Sequence, residues 1–352
     1  MNVFSADAID LLKRLISIPS ISSDENQAVD FLENRLIEKK YHPFRKGNNI
    51  WLMSPDWDEQ KPVILLNSHI DTVKPVAGWT KDPFFPLEEE GKLFGLGSND
   101  AGASLVSLLQ VFMILTQTQQ ENNYIFLASC EEEISGKNGV EIVLPELPPV
   151  DLGVVGEPTT MQPAIAEKGL LVLDGIVYGK SGHAARNEGE NAVYKALPVI
   201  EWFRNQHFTA VSPLLGSVKM TVTGVQAGTQ HNVIPDVCKF TVDIRTNELY
   251  SNEALFETIS AACGAEVRAR SFRLNSSRIA IEHPVVQRAI ELGMTPFGSP
   301  TLSDQSLMHF PSLKIGPGNS ARSHTADEFI FLKEIDDAIS NYVALLNNLK
   351  IR

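Results

Sequence analysis

Three short, continuous apolar runs constrain the fold of this chain most. Pro62-Val63-Ile64-Leu65-Leu66, Tyr124-Ile125-Phe126-Leu127-Ala128 and Leu152-Gly153-Val154-Val155 each read as a strand buried on both faces. Each leads directly into polar residues of metal-binding type: Asn67-Ser68-His69-Ile70-Asp71, Glu131-Glu132-Glu133 and Gly156-Glu157-Pro158. Ligands of open α/β sheets bind outside the C-terminal ends of the strands. Ala101 to Thr116, apolar and rich in Ala and Leu, reads as a buried helix between the first two runs. This alternation predicts an α/β domain with a mostly parallel sheet flanked by helices.

The remaining chain fills in around that frame. Ser5 is placed to cap a helix that runs to Ile16, and Ser22 or Ser23 to cap a second reaching about Lys39. The pattern changes after Lys168. Leu170 to Tyr178, Gly216 to Thr223 and Lys239 to Arg245 alternate like half-solvated antiparallel strands. Helical stretches at about Asn191 to Asn205 and Ser251 to Cys263 lie between them, giving a β-α-β-β-α-β unit of ferredoxin-like order. A helix resumes near His283, followed by a strand-like Ser312-Leu313-Lys314-Ile315 and a final helix from Leu332. The expected organisation is an α/β domain of residues 1–168 and 283–352, interrupted by an inserted α+β unit over 169–282. A length of 352 residues suits two domains.

Charge and cysteine content exclude several function classes. Against 43 Asp+Glu stand 30 Lys+Arg, a net charge of -13, so nucleic acid and anionic membranes are unfavourable partners. Cys130, Cys238 and Cys263 are odd in number and widely spaced, which suits a reducing cytoplasm rather than a disulfide framework. The N-terminal segment mixes charges among its apolar residues, unlike a signal peptide. No run approaches the roughly 18 consecutive apolar residues of a membrane span.

Five segments carry candidate chemistry: His69-Ile70-Asp71, Asn99-Asp100-Ala101, Glu131-Glu132-Glu133, Gly156-Glu157-Pro158 and Ser323-His324-Thr325. Zinc takes imidazole nitrogen and carboxylate oxygen, and a pair of zinc ions can share one carboxylate and one water. Such a pair needs about one His and one carboxylate per metal plus a bridge, and His69, His324, Glu133, Glu157 and Asp100 make up that set. Glu132, beside a ligand, can act as a base. Taken singly, each has a bland reading. His69 is a structural histidine, Asp100 a helix N-cap, the glutamates a solvated charge run, Glu157 a turn residue and His324 a surface loop residue. Gly95-Leu96-Gly97 is no nucleotide loop, for it lacks a third glycine and a preceding buried strand.

Combination and order decide between these readings. Ile18-Pro19-Ser20, Ser68-His69-Ile70-Asp71-Thr72-Val73, Gly97-Ser98-Asn99-Asp100, Glu131-Glu132-Glu133, Gly156-Glu157-Pro158-Thr159, Ser181-Gly182-His183-Ala184, Asn232-Val233-Ile234-Pro235 and His324-Thr325-Ala326-Asp327-Glu328 span nearly the whole chain. In this order the chain resembles the co-catalytic di-zinc exopeptidase and amidohydrolase family of acetylornithine deacetylase, succinyl-diaminopimelate desuccinylase, aminoacylase and a glutamate-releasing carboxypeptidase. The resemblance implies that Asp100 bridges two Zn²⁺ ions, with Co²⁺ or Mn²⁺ as substitutes. His69 and Glu157 complete one site, and Glu133 and His324 the other. Glu132 is the general base and proton donor, and Asp71 orients His69. The family's Asp-Met-Lys-Gly is here Asp100-Ala101-Gly102-Ala103, and its Asp-Glu-Glu is Glu131-Glu132-Glu133.

The inserted unit, by the same resemblance, is a lid and dimerisation domain that brings His183 and Asn232 to the substrate. Arg245 is either a fork for the substrate carboxylate or an ion-pair partner of Asp243. Gly316, in Gly316-Pro317-Gly318-Asn319, either offers backbone N–H to substrate or makes a plain turn. The implied activity is hydrolysis of an N-acyl amino acid, first N-acetylornithine or N-acetylcitrulline in arginine biosynthesis, by a cytoplasmic homodimer. Desuccinylation is the near alternative, and di- or tripeptide cleavage the next. Leucines at 170 and 171 stand where diaminopimelate desuccinylases tend to carry arginines. A metal-free binding protein, the reading from another class, predicts missing ligands, and none is missing.

Overall fold

The computed structural model describes residues 3–186 and 188–351. Two compact units divide it: Met1–Ile165, Arg278–Phe297 and Ser303–Arg352 form one, Ala166–Ser277 and Gly298–Leu302 the other.

The first unit is built on one sheet. Val63–His69 lies between Asn123–Ser129 and Leu152–Val155, parallel to both, and Ser312–Lys314 extends the parallel set beyond Leu152–Val155. All seven residues of Val63–His69 and of Asn123–Ser129 are buried, as strands covered on both faces must be. Successive crossovers leave Val63–His69 on opposite sides, so a crevice opens at its C-terminal end, where His69 sits. Register holds the strand ends level, with His69 opposite Ser129 and Asn67 opposite both Leu127 and Val155.

Two antiparallel strands, Phe44–Lys46 and Asn49–Met53, add an edge beside Asn123–Ser129. Neither alternates, Phe44–Lys46 being three residues long and Asn49–Met53 apolar from Ile50 on, and only the left-handed Gly47 marks their turn.

The helix Ala103–Leu115 packs on this sheet and against the helices Val3–Ile16 and Leu332–Leu346. Ser98–Leu115 is the one window among the described residues long and apolar enough by composition to cross a membrane, and 83% of it is buried inside the fold. It is a core helix, apolar all round because neighbours surround it.

Two expected caps fall elsewhere. Ser5 is buried within its helix and donates to Asp336, and Glu25, not Ser22 or Ser23, stands at the N-cap of Asn26–Glu38. Ser22 instead donates to Asp71 Oδ2 at 2.6 Å, a contact between residues far apart in sequence.

The second unit has the strands Gly169–Tyr178, Lys219–Ala227, Val237–Thr246 and Glu266–Ala269, with the helices Ala192–Asn205 and Asn252–Ala262 between them. Its sheet is antiparallel throughout, with Val237–Thr246 and Gly169–Tyr178 central and the other two at the edges. That is the ferredoxin-like order. Leu171, Leu173, Phe240, Val242, Ile244, Phe203, Leu255 and Ile259 form a core of its own.

Candidate metal centre

Local backbone geometry aims the acidic residues. After Ser129 the chain enters a left-handed conformation at Glu131, φ 55°. The Glu131 carboxylate turns back and accepts from Asn138 N at 3.1 Å and Asn138 Nδ2 at 2.9 Å. Glu131 therefore belongs to the loop, and Glu132 and Glu133 are the acids left to face the crevice. Asp71 holds them there, its carboxylate accepting from Glu132 N at 3.1 Å and Glu133 N at 3.2 Å. Asp100 sits where the chain leaves the left-handed Gly97 and enters the core helix. Glu328, almost fully buried, accepts from the N–H groups of Gly97, Asn99 and Asp100 at 3.1, 2.8 and 2.9 Å and so fixes that loop.

The donor atoms converge on His69. Its Nδ1 lies 2.9 Å from the Asp71 carbonyl oxygen and 3.6 Å from Asp71 Oδ1, so its orientation comes chiefly from the main chain. With Nδ1 donating, Nε2 presents a lone pair. Nε2 is buried and has no hydrogen-bond partner among the described residues, yet three carboxylate oxygens surround it. Asp100 Oδ1 is at 3.4 Å, Glu157 Oε1 at 3.6 Å and Glu132 Oε2 at 4.0 Å. Asp100 turns its other oxygen, Oδ2, toward His324 Nε2 at 3.7 Å, and His324 Nε2 is 2.9 Å from Glu133 Oε2. One carboxylate thus faces two histidines, each with its own glutamate.

Electrostatics point to a missing positive charge. Burial, then the charge on Asp100, raises the Glu157 carboxyl to about 8. Burial also raises Glu132 well above the carboxylate range, with Glu157, Asp304 and Glu133 adding repulsion against the pull of His69. Burial alone would lower His69, but Asp100, Asp71, Glu132 and Glu157 outweigh it and hold its proton affinity well above the ordinary value. His324 rises to about 9 through its hydrogen bond to Glu133. Two glutamates and two histidines raised together in one largely buried cluster fit a site for cations. Each of the sets His69–Glu132–Glu157 and His69–Asp100–Glu133 brings three potential ligand atoms within 4.8 Å. The donor set is nitrogen and carboxylate oxygen, as zinc and its divalent relatives prefer.

The softer candidates have partners of their own. His183 and Asn232 are exposed neighbours within the second unit, where Ala184 N donates to Asn232 O at 3.0 Å. In that unit Arg245 spends its fork on Asp243, Nε to Oδ1 at 2.9 Å and Nη2 to Oδ2 at 3.1 Å, the ion-pair alternative. Gly316 N donates to Thr159 Oγ1 at 3.0 Å, so that N–H is already committed. A Cβ at Gly316 would lie 2.5 Å from Glu157 O, and its place is the packing beneath Glu157.

Asp304, Glu328 and Ser22 escaped the functional reading of the sequence. Asp304 Oδ2, buried, accepts from Asn67 Nδ2 at 2.9 Å and Ser129 Oγ at 2.6 Å, joining the two central strands just before His69 and Glu131. Only Glu328 had a local signal, the acidic end of the His324–Glu328 motif.

Comparison with known proteins agrees with this arrangement. A model of the family described as Peptidase family M20/M25/M40 matches residues 65–348. Succinyl-diaminopimelate desuccinylase of Corynebacterium glutamicum is 26% identical over 358 residues, 94% of each chain. Acetylornithine deacetylase of Proteus mirabilis is 25% identical over 368 residues, 96% of this chain and 95% of the relative. Among solved structures, a Staphylococcus aureus tripeptidase superposes with TM-score 0.77 at 19% identity over 97% of both chains. A dinuclear metal-binding M20 peptidase of Bacillus subtilis does so with TM-score 0.72 at 19% identity, again over 97% of both. The structures establish the shared fold, and the family match extends over every strand end that carries a candidate ligand. The chain belongs to peptidase family M20/M25/M40 and is a metal-dependent amidohydrolase.

Proposed function

We propose that this amidohydrolase deacylates an N-acyl amino acid, with N-acetylornithine or N-acetylcitrulline the first choice, at a pair of Zn²⁺ ions. The reading rests on one observation above the others: a buried His69 Nε2 that has no hydrogen-bond partner among the described residues and is ringed by the oxygens of Asp100, Glu157 and Glu132. His69 and Glu157 are the proposed ligands of one ion, Glu133 and His324 of the other, and Asp100 the bridge. Bound there, such ions would lend Lewis acidity toward water and the amide carbonyl.

Glu132 is the remaining carboxylate in reach. From 4.0 Å off His69 Nε2 it would take a proton from the attacking water and hand it to the leaving nitrogen. Asp71 serves by holding the backbone of Glu132 and Glu133 and the ring of His69. The second unit is proposed as the lid and dimerisation domain, with His183 and Asn232 as its substrate contacts.

The substrate assignment draws on the motif wording and on the similarity to acetylornithine deacetylase along nearly the full length of both chains. Desuccinylation is the second reading, favoured by the several relatives named succinyl-diaminopimelate desuccinylase. Leu170 and Leu171 argue against diaminopimelate itself. Leu171 lies in the second unit's core and offers no cation to a second carboxylate.

The test is release of free amine by zinc-loaded protein from matched N-acetyl and N-succinyl forms of ornithine and citrulline, beside a dipeptide and tripeptide panel. Preference for an acetylated member supports the first choice. Preference for succinylated members moves the assignment to the second reading, and turnover of peptides alone overturns both.

A further inference from the structure

The two histidines of the centre are held in different ways. His69 is 2% exposed, ends a central strand, and has its Nδ1 on the Asp71 carbonyl oxygen. The His324 side chain is 53% exposed, lies in a loop at φ 57°, and has no acceptor for its Nδ1 among the described residues. Metal-binding histidines usually have their second nitrogen fixed by an acceptor. His324 must therefore take its orientation from the backbone that carries it.

That backbone is pinned two residues earlier. The Arg322 guanidinium lies 4.7 Å from the Phe329 ring centroid and 5.1 Å from that of Phe331. It also makes a two-point contact with Glu334, Nη1 to Oε2 at 2.7 Å and Nη2 to Oε1 at 3.1 Å. Glu334 in turn accepts from Phe331 N at 2.9 Å, in the first turn of the helix Leu332–Leu346. The Arg322 carbonyl oxygen accepts from Thr325 Oγ1 at 2.8 Å, closing the turn around His324. Beyond His324, Asp327 accepts from Thr80 and Lys81, and Glu328 from the Asp100 loop. His324 is thus suspended between two anchors, one on the final helix and one on the Asp100 loop.

We propose that Arg322 is a positioning residue whose clamp on Phe329, Phe331 and Glu334 sets the affinity of the metal position served by His324. This inference rests on the reading of His324 as a ligand. The clamp depends on shape as well as charge, because a planar guanidinium can lay its face on the rings while two separate nitrogens each donate to one carboxylate oxygen, and a single ammonium nitrogen cannot do both at once.

The experiment is zinc binding to the full chain, titrated with Zn²⁺ alone against a competing chelator, for wild type, Arg322→Gln, Arg322→Lys, Glu334→Gln and His324→Ala. Wild type is expected to bind two ions. Arg322→Gln should keep the first ion at wild-type affinity and bind the second about tenfold more weakly. Its lost activity should return when free zinc is raised by about the same factor. Arg322→Lys should behave like Arg322→Gln, and Glu334→Gln should weaken the same ion. Wild-type binding of both ions by Arg322→Gln overturns the proposal. Equal weakening of both ions does the same, since it signals general destabilisation. Rescue by Arg322→Lys overturns it too, since charge alone would then suffice. If His324→Ala still binds two ions as wild type does, the ligand reading itself fails, and the clamp with it.

Discussion

Glu132 and Glu131 are chemically identical neighbours, and the left-handed backbone at Glu131 together with its hydrogen bonds separates them. Glu131 is engaged by Asn138, while Glu132 stands 4.0 Å from His69 Nε2. Glu132→Gln keeps the shape and removes the proton acceptor. It should lower kcat by roughly 10²–10⁴-fold with metal content unchanged. Elemental analysis beside turnover checks this, and a variant that retains full activity would remove Glu132 from the mechanism.

The same residues make a prediction about metal removal. In the metal-free fold Glu157 is raised to about 8, His324 to about 9, and His69 and Glu132 well above their ordinary values. Between the ordinary values of these groups and the raised ones, the folded state holds protons that the unfolded chain has released. Stability of the chelated protein should therefore fall as pH rises from about 5 to 9. Asp71 and Asp100 are shifted downward and contribute only at pH values below that window. Thermal melts of chelated and zinc-loaded protein at pH 6 and 8.5 test the sign. The gap between the two forms should widen at the higher pH, and a gap that narrows contradicts the cation-deficient cluster.

Elements deliver the proposed ligands by being level. The parallel register sets His69 beside Ser129, and the tight packing of Gly316 under Glu157 completes the row. A side chain at 316 has no room, since its Cβ would lie 2.4 Å from Ser104 Oγ and 2.5 Å from Glu157 O. Gly316→Ala should cost roughly 1–3 kcal/mol through overpacking and shift Glu157 with it. Denaturant unfolding should register the first effect, and weaker zinc binding the second. A variant as stable and as tightly metal-bound as wild type would show that the strand end yields without consequence.

The elements also differ in how plainly the sequence announced them. The three buried strands, as continuous apolar runs that end in polar residues, the core helix, and the alternating strands of the β-α-β-β-α-β unit can be read from residue order. The caps at Ser5 and Ser22 were misplaced because each hydroxyl has a partner on a distant element, Asp336 and Asp71. The Phe44–Met53 hairpin shows only its turn glycine, because Phe44–Lys46 is three residues long and the apolar run 50–53 does not alternate.

At the level of the whole molecule, the second unit has a core independent of the catalytic unit and presents an edge strand, Lys219–Ala227, most of whose residues are exposed. An edge with free backbone groups is a template for pairing. With the proposed role of this unit in dimerisation, sedimentation equilibrium should give twice the chain mass of 38.8 kDa. Replacing Val225, 50% exposed on that strand, by lysine should shift the equilibrium toward monomer. A wild-type monomer at all concentrations would refute that role and leave the metal centre untouched.

Residue order by itself determined which side chains are available and on which strand ends they fall. Apolar runs, glycines and charged clusters are local signals, and the ligand motifs lie next to them in the chain. Tertiary structure decided which of those side chains meet. It gave Ser22 to Asp71, chose for Arg245 the neighbouring Asp243 that the sequence already offered, turned Glu131 to Asn138 in its own loop, and made Asp304, Glu328 and Arg322 supports of the proposed centre. The reason is physical: a hydrogen bond or ion pair between distant segments is specified by the three-dimensional path of both. A carboxylate or guanidinium reads the same in sequence whichever partner the fold brings to it.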